Sequence, residues 1–235
     1  DGYAAACLLQ NEYSVKIIDI FSAGQKTAEG KLYLEKYISL GGKITNGNEL
    51  EIIKSLIDSS DVIIDAIFGT GFLGNPPENL APLANAVNSS SAIKIAVDVP
   101  LGINADEGSV NDIHIKADVT VALSYMKPGL LSYPAKDYCG KIIHDTIGLP
   151  LDKIEEAIPF TNYLFDFAEA NRVLPERAEN TSKGSFGKTL LITGSKEYPG
   201  AGLLALESAL RGGAGYVTQV LEKELYDAYL LKFPE

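Results

Sequence analysis

Residues 62–75 read VIIDAIFGTGFLGN, an apolar run that carries one carboxylate, Asp65, and ends in a loop rich in glycine. A continuous apolar run bounded by turn residues is typical of a strand buried on both faces, as parallel strands are when helices cover the sheet. Glycine has no Cβ and tolerates positive φ, so such a loop can bring main-chain N–H groups close to a phosphate. The segment therefore predicts a buried parallel strand with a loop at its carboxyl end.

Short apolar runs alternate with helix-period segments over residues 1–150. This alternation indicates βαβ units, and we predict an α/β fold with a Rossmann-like three-layer parallel sheet and helices on both faces. The expected strands are Val15–Ile20, Val62–Phe68, Ile93–Val99, Val119–Leu123 and Lys141–Ile147. The expected helices are Tyr3–Gln10, Gln25–Leu40, Glu49–Ile57 and Leu80–Asn88.

A second pattern of the same kind begins near Thr181, after a segment rich in Glu, Asn and Arg. We place the domain boundary near Ala170, which divides the chain into residues 1–170 and residues 171–235. The chain starts at Asp1 rather than Met and stops inside an unfinished pattern, so we expect both ends to be truncations. The elements expected in the second domain are strand Thr189–Thr193, helix Ala201–Arg211, strand Tyr216–Val220 and a helix that begins at Glu222.

The composition argues against two classes of partner. A net charge of −11 opposes binding to DNA or RNA, because affinity for a polyanion comes mostly from Lys and Arg. No apolar run reaches the roughly 18 residues that a membrane span requires. The cysteines, Cys7 and Cys139, form neither a disulfide framework nor a C-x-x-C pair, which favours a reducing compartment. We therefore expect a cytoplasmic protein that binds neither nucleic acid nor membrane.

Polar or glycine residues stand at four strand ends or helix starts. In an open parallel sheet, ligands bind beyond the carboxyl ends of the strands, so these residues are the first candidates for a site. The four places are Asp1-Gly2, Asp65 with the loop Gly69 to Asn75, Asp98 in the sequence VDVP, and Lys127-Pro128-Gly129.

Each of these signals has a structural alternative. The loop glycines match G-x-G-x-x-G, but Asn75-Pro76-Pro77 follows where a dinucleotide-binding fingerprint would already be helical, so an ordinary turn is an alternative. Asp65 would be costly to bury alone, and a cation, a substrate hydroxyl or main-chain N–H groups would each serve as its partner. Asp98 stands where the chain leaves the sheet, which suits a general base and equally suits an acceptor for the N–H groups of a turn.

Taken in order, the motifs of the first domain resemble those of the NAD(P)H-hydrate epimerase domain. The motifs are Asp1-Gly2 before a helix, DAIFGTG at 65–71, AVDVP at 96–100 and KPG at 127–129. Residues 181–188, 194–195, 198–201 and 209–215, which read TSKGSFGK, GS, YPGA and ALRGGAG, are similar to the start of the ADP-dependent NAD(P)H-hydrate dehydratase domain, which has a ribokinase-like fold. The order of the two resembles that of the bifunctional NAD(P)H-hydrate repair enzymes.

The resemblance implies a two-step repair of hydrated NADH and NADPH. The first domain would epimerise the R and S forms of NADHX and NADPHX, with Asp98 as the proton acceptor and donor, and the second would dehydrate the S form with ADP. Asp65 would bind a potassium ion, to which Leu101 could offer only its main-chain carbonyl. We also expect a homo-oligomer. The residues that would bind substrate are Asp1, Gly69, Thr70, Gly71, Phe72, Leu73, Gly74, Asn75 and Ala201.

Leu101 departs from the family pattern, which reads VDIPSG and has at this position a serine that assists the potassium site. A leucine side chain cannot bind a cation. This departure keeps open a non-catalytic nucleotide-binding or interaction scaffold that retains the epimerase-like fold. For the second domain, a ribokinase-like kinase is an alternative, because the residues that distinguish phosphoryl transfer from dehydration would follow Glu235.

Overall fold

The computed structural model describes residues 1–21, 26–47, 49–72, 74–158, 162–174 and 176–233. Its contacts divide the chain into two compact units, Asp1–Pro159 and Phe160–Glu235. The boundary between the units lies before Ala170, and the assignment of each unit to a type of domain stays a prediction.

The first unit consists of parallel strands joined by helices, as the sequence predicted. β1 pairs with β2, and β3, β4, β5 and β6 form a four-stranded parallel sheet in that order. The strands are β1 Lys16–Asp19, β2 Lys43–Asn46, β3 Val62–Asp65, β4 Ile93–Val97, β5 Val119–Leu123 and β6 Lys141–Asp145. The helices are α1 Gly2–Leu9, α2 Ala28–Ser39, α3 Leu50–Asp58, α4 Ala81–Ser89, α5 Pro128–Leu131, α6 Lys136–Cys139 and α7 Leu151–Ala157.

Three strands end before the last residue of the apolar run that predicted them, because an aspartate side chain accepts a hydrogen bond from a nearby main-chain N–H. An aspartate side chain that accepts the N–H two residues later forms a turn that competes with the strand ladder. The pairs are Asp19 with Phe21 at 3.2 Å, Asp65 with Ile67 at 3.2 Å, and Asp145 with Ile147 at 2.7 Å. The predicted strand ends at Ile20, Phe68 and Ile147 were therefore too late.

The sequence patterns did not predict β2. Its four residues read KITN, and only Thr45 among them is even partly buried. The strand pairs in parallel with β1, with Ile17 opposite Ile44. A short, exposed edge strand has little apolar periodicity, so the ladder with β1 defines it rather than its own sequence.

The core of the first unit contains three apolar clusters, and two of them include the segment that follows β4. Ile53 and Ile57 lie one turn apart on α3 and pack with Leu83 of α4 and with Leu101, since residues four apart share a helix face. A second cluster contains Val99, from the segment after β4, and residues of β5, α5 and α6. The segment after β4 is therefore anchored in both clusters, through Val99 and Leu101.

The second unit has the expected strand, helix, strand order. β7 pairs in parallel with β8, and α9 contacts both strands. The elements are α8 Phe167–Val173, β7 Lys188–Ile192, α9 Pro199–Arg211, β8 Tyr216–Val220 and α10 Tyr226–Lys232. In the part of the chain that the structure describes, every helix is too short or too polar to cross a bilayer.

Candidate functional site

Three of the four candidate locations for a binding site lie at the carboxyl edge of the four-stranded sheet. Asp65 is the last residue of β3, Asp98 follows β4, and Lys127 lies in the loop after β5. The three strands are adjacent and parallel, so their carboxyl ends lie at one edge, where open parallel sheets bind ligands.

Asp98 leaves the sheet in a left-handed main-chain conformation, with φ at 70°. Few residues other than glycine adopt this conformation, and aspartate is among those that tolerate it. Its N–H donates to the carbonyl of Val121 at 2.8 Å, which ties the turn to β5. β4 therefore ends at Val97, and the predicted strand end at Val99 was wrong because the chain turns at Asp98.

Donors from three segments reach the Asp98 carboxylate. Oδ2 accepts the N–H of Thr70 at 3.2 Å. Oδ1 accepts the N–H of Leu123 at 3.4 Å and a hydrogen bond from Lys127 Nζ. The side chains of Asp98 and Lys127 are each 13% exposed. The carboxylate is therefore paired and oriented but still partly accessible, which suits a group that exchanges protons with a bound molecule.

The glycine-rich loop lies against Asp98. A Cβ at Gly69 would stand 3.0 Å from Asp98 Oδ2, so the absence of a side chain at Gly69 permits this approach. Cβ atoms at Gly71 and Gly74 would meet nothing within 4 Å, so the loop is open on that side. Leu73 lies outside the described residues. The expected contact between this loop and a substrate stays a prediction.

Phe72 packs back onto the segment that follows β3. Its ring stacks on that of Phe68, with the centroids 3.8 Å apart and the planes at 11°, and Phe68 contacts the ring of Phe21 at 5.7 Å. The N–H of Phe72 donates to the carbonyl of Gly69 at 3.2 Å. Phe72 thus anchors the loop, whereas Asn75 is exposed.

Asp1 is also at the β3 end of the sheet edge. A Cβ at Gly2 would stand 2.9 Å from the Cβ of Ala66, so the start of α1 packs against the residue that follows Asp65. The carbonyl of Asp1 accepts the N–H of Ala5 at 2.9 Å and begins the helix. The structure therefore places Asp1 beside β3, as a site at this edge requires.

Asp65 is 3% exposed and pairs with main-chain N–H groups. Oδ2 accepts the N–H of Leu101 at 2.7 Å, and Oδ1 accepts the N–H of Ile67 at 3.2 Å. Burial raises the pKa of the Asp65 carboxyl from its ordinary value of 3.8 to about 6, and the two main-chain hydrogen bonds oppose this rise. Main-chain N–H groups are thus partners of Asp65, which is one of the alternatives that the sequence left open.

The potassium site that the resemblance implies lacks one of its oxygens here. The side chain of Leu101 is fully buried in the apolar core, and its carbonyl accepts the N–H of Ile115 at 3.0 Å. In the described ranges, no group of three or more His, Cys, Asp or Glu residues is placed to hold a metal ion. The side chain at position 101 therefore supplies no oxygen to such a site, and we derive no step through potassium.

The sequence patterns missed a second paired carboxylate, Asp19, at the end of β1. It forms an ion pair with Lys26 at 3.0 Å and accepts a hydrogen bond from the Tyr3 hydroxyl at 3.0 Å. Burial and the neighbouring carboxylate raise the pKa of the Tyr3 hydroxyl. The available signal was the one used for Asp65, an aspartate inside an apolar run.

In the second unit, Ala201 lines an open cavity of about 560 Å³ at the carboxyl ends of β7 and β8. Ala201 lies in the first turn of α9. Other lining residues are Thr193, Gly194, Ser195, Tyr198 and Glu222. The cavity therefore contains the predicted substrate-binding residue at the position where parallel sheets bind ligands.

Comparison with known families gives a match over much of the chain. The family described as YjeF-related protein N-terminus matches residues 1–129. The chain belongs to this family. The matched residues include every candidate of the first unit, from Asp1 to Lys127, whereas Ala201 lies beyond them.

Curated relatives of this YjeF-related chain support the resemblance that the motifs predicted. The bifunctional NAD(P)H-hydrate repair enzyme Nnr of Hyperthermus butylicus is 40% identical over 158 residues, 67% of this chain and 28% of that protein. Proteins of the same name from Thermofilum pendens and Escherichia coli are 34% and 30% identical, and each alignment covers 100% of this chain and 44% of the relative. The chain thus spans less than half the length of these relatives.

A solved structure supports the fold alone. The crystal structure of the yeast protein ynu0 is 21% identical, with a TM-score of 0.50, and the match covers 61% of this chain and 59% of that chain. Together with the parallel sheets, it confirms the predicted parallel α/β architecture.

Proposed function

We propose that the first unit epimerises the hydrated cofactors NADHX and NADPHX. The observation that carries this proposal is the Asp98 carboxylate, held at the sheet edge by Thr70, Leu123 and Lys127. The names of the curated relatives, which are NAD(P)H-hydrate repair enzymes, support the choice of substrate. The open loop beside Asp98 supports a ligand at this position.

Epimerisation inverts one carbon and leaves the composition of the molecule unchanged. Such a reaction needs a group that takes up a proton in one step and returns it in the next, and a carboxylate can do both. In this proposal Asp98 is that group, and the main chain around it keeps its carboxylate directed at the hydrated ring. The N–H groups of the glycine-rich loop would bind the phosphates of the cofactor.

The second unit is proposed as the start of an ADP-dependent dehydratase that acts on the S hydrate. Two observations support this assignment: relatives align with the whole chain, and Ala201 lines a cavity at the carboxyl ends of β7 and β8. Binding of ADP in this cavity stays a prediction. Potassium binding at Asp65, homo-oligomerisation and a cytoplasmic location also stay predictions. A ribokinase-like kinase is the competing assignment for this unit.

A non-catalytic scaffold is the second candidate for the first unit. Leu101, which replaces the serine of the family pattern and lies in the core, favours it. The partly accessible Asp98 carboxylate beside the open loop favours the enzyme.

The test supplies pure R-NADHX to the 235-residue chain and follows the appearance of the S form by chromatography. Buffer without protein gives the spontaneous rate. The proposal predicts a rate that rises with protein concentration and is the same with or without ADP. A rate equal to that of buffer would favour the scaffold.

A further inference from the structure

The lysine that contacts Asp98 is fixed at its main chain. Lys127 stands in an extended conformation directly before α5, with Pro128 as the first residue of the helix. The N–H of Gly129 donates to the carbonyl of Ala105 at 2.7 Å, and a Cβ at Gly129 would stand 2.2 Å from the carbonyl oxygen of Asn104. The start of α5 is therefore packed too tightly to shift, and the Lys127 side chain extends from a fixed point.

The ammonium group of Lys127 has two acceptors. It donates to Asp98 Oδ1 and to the carbonyl of Leu123, the last residue of β5. The N–H of Leu123 points to the same Oδ1 at 3.4 Å. Lys127, Leu123 and Asp98 thus form a closed set of hydrogen bonds that joins the ends of β4 and β5.

The two oxygens of Asp98 have different surroundings. Oδ1 is held from the β5 side by Lys127 and Leu123, whereas Oδ2 faces the glycine-rich loop at Thr70 and Gly69. The loop is the side on which the proposed function places the substrate. A carboxylate held through one oxygen presents the other in a fixed direction, and a small error in that direction is costly to proton transfer.

We infer that Lys127 is a positioning residue, which holds Asp98 through Oδ1 so that Oδ2 faces the hydrated ring. The inference rests on the proposed epimerase function. Lys127 does not itself touch the reacting carbon. Its loss should therefore lower kcat and leave KM nearly unchanged, because the substrate is bound by the loop and not by the ammonium group.

Lys94 provides a matched control at the opposite end of β4. It forms an ion pair with Asp118 at 3.4 Å, and its side chain is 13% exposed, as is that of Lys127. It is the second residue of β4, whereas Asp98 follows the last, so its ion pair lies toward the amino edge of the sheet. Lys94→Ala therefore removes a lysine of equal exposure and its ion pair, whose aspartate is 53% exposed, without touching the candidate site.

The experiment compares Lys127→Ala, Lys127→Arg and Lys94→Ala with the unchanged chain in epimerisation of R-NADHX. For Lys127→Ala we expect kcat to fall by roughly 30- to 100-fold with KM within about threefold, and for Lys94→Ala no change beyond about threefold. Ethylammonium ion should restore kcat of Lys127→Ala saturably and leave Lys94→Ala unaffected. Lys127→Arg, which keeps the cation, should recover at least tenfold of the lost rate.

The outcomes separate the two claims. No acceleration by the unchanged chain would overturn the proposed function. Normal epimerisation by Lys127→Ala, in a chain where Asp98→Asn is inactive, would overturn the role of Lys127 alone. If Lys127→Ala does not fold, Lys127→Met, which keeps the aliphatic stem, takes its place with the same expected loss of kcat and no expected rescue. Failure of ethylammonium to rescue a folded Lys127→Ala would also overturn the inference.

Discussion

The Asp65 carboxylate accepts a hydrogen bond of 2.7 Å from the N–H of Leu101, which ties the end of β3 to the segment that follows β4. Both residues are buried, with 3% of Asp65 and none of Leu101 exposed. The bond spans the turn at Asp98, so it helps to hold the main chain from which the candidate catalytic carboxylate projects.

Burial gives Asp65 a distinctive titration. We expect its carboxyl 13C signal, assigned with Asp65→Asn, to titrate with a midpoint of about 6 rather than 3.8. In that window the folded chain keeps a proton that the unfolded chain has released, so stability falls as pH rises from 3.8 to about 6. At 1.36 kcal/mol per unit, the loss is at most about 3 kcal/mol. A midpoint at or below 3.8 would show that hydrogen bonding outweighs burial.

Replacing Leu101 by alanine should destabilise the first unit. Removal of a fully buried leucine side chain costs about 2–5 kcal/mol, and the effect should be visible as faster native-state hydrogen exchange of the amides in β4 and β5. Leu8→Ala serves as the control, because Leu8 is 76% exposed and should change stability by less than about 0.5 kcal/mol. Equal exchange rates in the two variants would contradict the packing described for Leu101.

Gly69 should tolerate alanine poorly for a reason specific to the site. The added Cβ would stand 3.0 Å from Asp98 Oδ2 and would press on the oxygen that faces the loop. We expect Gly69→Ala to reduce epimerisation by about tenfold or more, since a small displacement of a reacting group is costly. Gly184→Ala in the second unit, whose Cβ would meet only the Ser182 hydroxyl oxygen at 3.8 Å, should retain the rate. A similar loss in both variants would contradict the specific role of Gly69.

Apolar runs predicted the strands of the four-stranded sheet and their common edge, whereas the short, exposed β2 was missed because it has no such run. The sequence misplaced the ends of β1, β3 and β6, because an aspartate inside a run looks like a strand residue until its carboxylate is seen to bond the N–H two residues later. That rule is simple enough to apply to other sequences.

The sequence predicted which residues form the candidate site but not the contacts between them. The sequence singled out Asp98 and Lys127 separately, yet their ion pair depends on the path of a long side chain from the start of α5 back to β4. The sequence left the partner of Asp65 open because main-chain N–H groups and cations can each pair with a buried carboxylate.

The most direct test of the central claim is the rate at which Asp98→Asn converts R-NADHX into S-NADHX. Asparagine tolerates the left-handed conformation and keeps the size of the side chain, but it cannot exchange a proton. Asp118→Asn, which alters the carboxylate paired with Lys94 at the other edge of the sheet, is the control. The account predicts a loss of about a hundredfold or more for Asp98→Asn and little change for Asp118→Asn. Epimerisation by Asp98→Asn within about threefold of the unchanged chain would contradict it, since general acid–base catalysis contributes far more than that.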